Sequence, residues 1–225
     1  MKFLIDHADV NQIRDLMEYY PIDGVTTNPS ILKNAGNPPM ETLLAIRDLI
    51  GPDRQLHCQV VSQDADGMCA EARHLVKTIP GNTFVKIPST QEGFKAMKIL
   101  SQEGIQITAT IVFTPMQAYL AAKCGAKYVA PYVNHISNSG HDSTETVKVI
   151  QDILDNNGMD TQIIAANFRN AWQLTEVAAY GVGAITASPD TIRQLGGNAM
   201  VDTFLARFTR DFESLAGAGK TMVDF

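Results

Sequence analysis

The chain has 225 residues, 45% of them apolar, enough to bury one sizeable core, either as one large α/β domain or as two small ones. A formal charge of −6 and a pI near 5.3 offer no basic face to a polyanion, which excludes nucleic acid as a partner but not a local anion site. The first stretch, MKFLIDHADVNQ, is too briefly apolar for a signal-peptide core, and no segment approaches the length of a membrane span, so no membrane partner is expected. Cys58, Cys69 and Cys124 are odd in number and lack any C-x-x-C spacing, which reads as reduced thiols in a cytoplasmic protein. No zinc, EF-hand or P-loop signature and no strand-borne G-x-G-x-x-G occurs.

Strand-like apolar runs and helical patterns alternate from end to end. KFLID (2–6) opens the chain, and Val10, Ile13, Leu16, Met17 and Tyr20 then recur at spacings of three and four. Further strand candidates are GVTT (24–27), LHCQVV (56–61), FVKIP (84–88), QITATIV (106–112), YVAPYV (128–133), QIIAA (162–166) and AIT (184–186). Helical spacing returns at Val147, Ile150 and Leu154. Thr114 before Pro115 and Ser188 before Pro189 put proline at a first helical position, and Gly104, Gly125, Gly158 and Gly181 stand where helices stop.

About eight β-then-α units follow one another with no linker or low-complexity segment. Strands joined by crossover helices run parallel, and eight units closing on themselves make a compact (β/α)8 TIM barrel, an α/β fold that more usually takes roughly 250 residues. An open doubly wound sheet is the alternative. A single domain over 1–225 is expected, with 198–225 as an extra C-terminal helix and tail. Its stripe of Val201, Leu205, Phe208, Phe212 and Leu215 either lies back on its own barrel or packs on a neighbouring subunit.

In such a barrel the reacting groups come from the C-terminal ends of the strands. The polar residues there are Asp6, Thr26, Asn28, Gln59, Lys86, Thr110, Tyr132, Asn167 and Arg169. Lys86 is the anomaly, a charge inside an apolar run. Period-2 alternation puts it on the face of Phe84, opposite Val85 and Ile87, so it points into the barrel if those two pack under the helices. Asp6 is its expected partner. Burial lowers an amine's pKa, and a neutral amine attacks carbonyls to form Schiff bases. A stem lying in the sheet with its head at the barrel mouth is the structural alternative. Thr26 and Thr110 also suit strands, Asn28 suits a turn before Pro29, and Tyr132 suits a core.

GVTTNPSI (24–31), VKIPST (85–90) and VAPYV (129–133), in this order, resemble the transaldolase and fructose-6-phosphate aldolase family over nearly the whole chain. The resemblance implies class I aldol chemistry without a cofactor: Lys86 forms an iminium with a dihydroxyacetone-type donor, and Asp6 and Asn28 hold donor hydroxyls, with Asp6 also placed to move protons. Thr26 lines the same wall, and Gln59, Thr110 and Tyr132 hold the water that transfers protons. Gln59 and Tyr132 are similar to the fructose-6-phosphate aldolase branch, since transaldolases typically carry glutamate and phenylalanine there. The resemblance also implies a homo-oligomer, a pentamer or decamer with exchanged C-terminal helices. A non-covalent sugar-binding barrel is the reading from another class.

The acceptor end departs from the family pattern. His135 stands where an arginine is usual and Asn167 where a serine is usual, while Arg169 keeps its cationic character. Losing a bidentate guanidinium weakens a phosphate clamp, so three acceptors remain open: a phosphorylated, a sulfonated or a neutral aldehyde. His135 as a plain loop residue is the structural alternative.

Overall fold

The computed structural model describes all 225 residues, 1–225. They divide into two compact units, Met1–Ile192 and Arg193–Phe225.

The first unit is a closed barrel of eight strands: β1 (Lys2–Asp6), β2 (Gly24–Thr26), β3 (Gln55–Gln59), β4 (Thr83–Pro88), β5 (Ile107–Val112), β6 (Tyr128–Pro131), β7 (Gln162–Ala165) and β8 (Ala184–Ala187). Each pairs in parallel with the next, and β8 pairs with β1. The crossovers are α1 (Val10–Tyr19), α2 (Pro29–Ala35) with α3 (Pro39–Ile50), α4 (Ala65–Thr78), α5 (Gln91–Gln102), α6 (Pro115–Lys123), α7 (Val133–Asn138) with α8 (Ser143–Asn156), and α9 (Ala171–Ala179). After β8 come α10 (Pro189–Gly196) and α11 (Ala199–Ala216). The fold is therefore the (β/α)8 barrel expected from the alternation, not an open sheet.

Local chemistry sets the helix ends. Thr114 and Gln117 form a capping box around Pro115 at the start of α6. The Asp9 and Asp142 carboxylates accept first-turn backbone N–H groups of α1 and α8. Gly93, in the first turn of α5, is required by space: a Cβ there would lie 1.9 Å from the Pro88 carbonyl oxygen at the end of β4.

The core is in two parts. Val85, Ile87, Val25 and Val129 belong to one large cluster that includes Ile13, Ile46, Met68, Met97 and Ile150 from the surrounding helices. Leu4, Phe84, Tyr128, Ala130, Ile164 and Ala184, all from strands, form a separate cluster inside the barrel. Period 2 therefore places Lys86 with Phe84, on the inside.

The expected strand bounds need correction: the run expected over 56–61 ends at Gln59. The strand expected over 128–133 stops at Pro131; Tyr132 keeps only a bridge to Ala166, and Val133 already opens α7. The crossover after β2 holds two helices, because Gly36 turns the chain at φ 77° before Pro38 and Pro39 start the second. In β5 the register to β6 shifts between Ala109 and Val112, and Ile111 takes φ 59°, a left-handed conformation that a β-branched residue rarely adopts.

In the second unit α11 has no buried residue. Leu205 and Phe208 are 63% and 56% exposed, while Phe212 meets the Phe225 ring.

Candidate active site

Lys86, in the middle of β4, is 6% exposed, and its Nζ donates to the Thr27 carbonyl at 2.8 Å. The amine reaches over β3 to the chain just beyond β2. Burial pulls its pKa below the ordinary amine value, and the negative charge of Asp6 pushes partly back. Asp6 is thus near enough to act through space, but the contact expected of it is made by a backbone carbonyl instead.

Asp6 ends β1 and has its own partners. The Thr26 hydroxyl donates to its carboxylate at 2.6 Å, and the Thr186 hydroxyl stands 2.7 Å from Thr26. Since the Thr26 proton goes to the carboxylate, Thr186 donates to Thr26. This relay joins β2, β1 and β8, and Thr186 is the member that strand-end reading of the sequence passed over. Asn28 caps α2, its Oδ1 accepting from Ile31 N at 3.0 Å, which leaves its NH2 group as the donor it can still offer.

Thr110 and Tyr132 meet at the C-terminal ends of β5 and β6, hydroxyl to hydroxyl at 3.1 Å. The Ile111 bulge lies one residue beyond Thr110. Burial raises the Tyr132 pKa against the opposing hydrogen bond from Thr110, so the phenol keeps its proton at neutral pH. The Gln59 Oε1 is buried and has no protein hydrogen-bond partner, an arrangement that is costly unless another group or water satisfies it.

Farther out, His135 and Asn167 come together. His135 Nδ1 hydrogen-bonds Asn167 Oδ1, which also accepts from His135 N at 3.2 Å. A carbonyl oxygen only accepts, so the imidazole proton sits on Nδ1 and Nε2 is left as an acceptor when the ring is neutral. Asn167 holds this position at φ 61°, left-handed backbone that asparagine tolerates. The rings of Phe113, Tyr132 and His135 pack at 5.8–6.4 Å between centroids, and Phe113 is a neighbour the sequence reading did not pick out. Arg169 is exposed, and its backbone N–H donates to Gln173 Oε1 at 2.9 Å.

A largely apolar cavity of about 650 Å³ opens between α2, α3 and α4, with Gln59 at its edge. Leu32, Met40, Leu43 and Leu75 are among its lining residues, and Thr26, Thr110 and Tyr132 are not.

A buried amine inside the barrel, a carboxylate acting on it through space and paired hydroxyls on the surrounding strands make up the polar groups of a parallel (β/α)8 barrel, a fold whose enzymes carry their reacting groups at the strand ends. Residues 3–222 match the family model described as Transaldolase/Fructose-6-phosphate aldolase. Proteins named "Probable transaldolase" resemble the chain throughout. One from Coprothermobacter proteolyticus is 40% identical over 218 residues, covering 96% of this chain and 99% of the relative. One from Geotalea uraniireducens is 40% identical over 215 residues with the same coverage, and one from Paracoccus denitrificans is 38% identical over 213, covering 94% and 96%. The chain belongs to the transaldolase/fructose-6-phosphate aldolase family and is an enzyme with aldolase-type activity.

Proposed function

We propose that the protein is a Schiff-base (class I) aldolase of the fructose-6-phosphate aldolase type. The observation that carries this reading is the inward-facing Lys86 amine, 6% exposed and depressed in pKa by burial. In the cleavage direction its Nζ lone pair adds to the ketone carbon of a ketose that contains the dihydroxyacetone-type donor unit, and loss of the former carbonyl oxygen as water leaves an iminium. On cleavage the C–C bonding pair moves into the iminium to form an enamine, the departing hydroxyl loses its proton, and an aldehyde leaves. Protonation of the enamine carbon and hydrolysis then return free donor and the amine. No cofactor or metal takes part.

The remaining roles are assigned as follows. Asp6, aligned by Thr26, faces the donor hydroxyls and moves protons, with Asn28 NH2 beside them. Gln59 Oε1, unpartnered within the protein, with the paired hydroxyls of Thr110 and Tyr132, holds the water that serves as general acid and base. Asn167, His135 and Arg169 receive the far end of a sugar or sugar-phosphate acceptor. The exposed apolar stripe of α11 packs on a neighbouring subunit in a homo-oligomer, a pentamer or decamer, and the enzyme works in the cytoplasm, where its three free thiols stay reduced.

The names of the relatives favour a second reading, transfer of the donor unit to another aldose. Gln59 and Tyr132 favour release, because a phenol that keeps its proton can deliver one to the enamine through water. The test is borohydride with dihydroxyacetone followed by intact mass. A mass gain in the wild type that is absent in Lys86→Met supports covalent catalysis, and no gain leaves a non-covalent sugar-binding barrel. Accumulation of free dihydroxyacetone from a ketose substrate without added acceptor supports the aldolase, and its absence supports the transferase.

A further inference from the structure

His57 is a buried titratable residue to which the chemistry above assigns no part. It lies on β3 two residues before Gln59, faces the barrel interior and is fully buried. Two aromatic rings pack on it: Phe84 stacks on the ring at 4.6 Å and Tyr128 meets it edge-on at 5.7 Å. Within that lining runs one polar chain. The Gln55 Nε2 donates to the Tyr128 hydroxyl at 3.1 Å, Gln55 Oε1 lies 3.3 Å from His57 Nε2, and His57 Nδ1 lies 2.8 Å from the Thr108 hydroxyl. With Gln55 oriented in this way, Nε2 of His57 carries the proton and Nδ1 accepts from Thr108. Burial, reinforced by the nearby Lys86 charge, holds the ring neutral.

The placement relative to Lys86 is specific. Thr108 is the register partner of Lys86 on β5, and Gln59, two residues above His57, is its partner on β3. A bond from a β3 side chain to a β5 side chain therefore crosses the inner face of β4, between Phe84 and Lys86. The backbone of the same histidine governs the other side of the amine. The His57 carbonyl accepts both the N–H and the hydroxyl of Thr27, at 2.9 and 3.0 Å, and the Thr27 carbonyl is the group that holds Lys86 Nζ.

We propose that His57 is a positioning residue for Lys86: its ring, bonded to Thr108 beneath the lysine stem, and its carbonyl, anchoring Thr27, together fix where the amine meets the donor ketone. The hydrogen bonds are saturated, so His57 needs no contact with substrate. This rests on the Schiff-base reading of Lys86, and the test separates the two.

His57→Phe keeps a ring for the stack on Phe84 and loses both side-chain hydrogen bonds, while Thr108→Val removes the hydroxyl at nearly constant shape and guards against a misfolded His57 variant. His57→Gln retains an acceptor for Thr108 and a donor for Gln55. The measurement is the rate of borohydride-trapped adduct at Lys86 across dihydroxyacetone concentrations. His57→Phe and Thr108→Val each lower the saturating rate about tenfold, the scale of one lost positioning hydrogen bond. The half-saturating concentration moves less than twofold. The double variant is no slower than either single one, because one strap is removed in each case, and His57→Gln recovers most of the rate. Wild-type rates in both single variants, or additive losses in the double variant, overturn the inference while leaving the chemistry of Lys86 intact. Absence of any adduct in the wild-type protein overturns the chemistry, and this inference with it.

Discussion

Lys86→Met keeps an unbranched side chain of similar length and removes the buried ammonium. In the folded protein burial lowers the Lys86 pKa, whereas in the unfolded chain it returns to the ordinary 10.5. Between the lowered value and 10.5 the unfolded chain holds a proton that the folded chain does not, so wild-type stability rises with pH through that window and is at its full deficit below it. Each unit of displacement corresponds to about 1.4 kcal/mol. The variant lacks this dependence but forfeits the hydrogen bond to the Thr27 carbonyl, about 1 kcal/mol at any pH. It is therefore less stable than the wild type by about 1 kcal/mol at the alkaline end and gains on it as the pH falls, by up to about 1.4 kcal/mol per unit inside the window. Cys58, pushed up to about 12 by burial, destabilises both proteins above the ordinary thiol range; loss of the Lys86 charge, which pulls the thiol down, only raises it further, so the thiol stays protonated in both folded proteins over the assay range and its effect on the difference is small. The assay is urea unfolding of the two proteins in parallel from about pH 6 to about pH 10.5, followed by circular dichroism. A stability difference that stays constant over that range would mean that Lys86 titrates like a surface amine, and the argument for a primed nucleophile would fail.

Three further outcomes are expected. Tyr132→Phe removes the phenol 3.1 Å from the Thr110 hydroxyl, and release of free dihydroxyacetone falls roughly a hundredfold while adduct trapping at Lys86 persists; an equal loss of both would move Tyr132 to an earlier step. Gly93→Ala drives a Cβ to 1.9 Å from the Pro88 carbonyl and lowers unfolding stability by about 2–3 kcal/mol, measured by urea denaturation; an unchanged midpoint would show that the end of β4 yields freely. Replacing both Leu205 and Phe208 with glutamate disrupts the exposed stripe of α11, and light scattering then reports the 24.5 kDa protomer; retention of a larger assembly would rule out that face as the subunit contact.

Much of this molecule is written locally. The alternation of short apolar runs with three-and-four spacing is a property of segments of ten or fifteen residues, and the caps at Thr114 and Asp9 act within one turn, so the barrel class was legible from the letters. So was the inward face of Lys86, because period 2 is fixed by the pleat once Val85 and Ile87 are assigned to the helix side. Closure and register decided the rest. They bring Thr26 of β2 against Thr186 of β8, 160 residues later, give the amine a backbone carbonyl in place of Asp6, and lay His57 of β3 under β4 to reach Thr108 of β5. The bulge at Ile111 and the union of His135 with Asn167 likewise arise from neighbouring strand ends. Local propensity acts over a few residues, whereas these contacts depend on how eight strands are staggered around a ring, and no short stretch of sequence encodes that stagger.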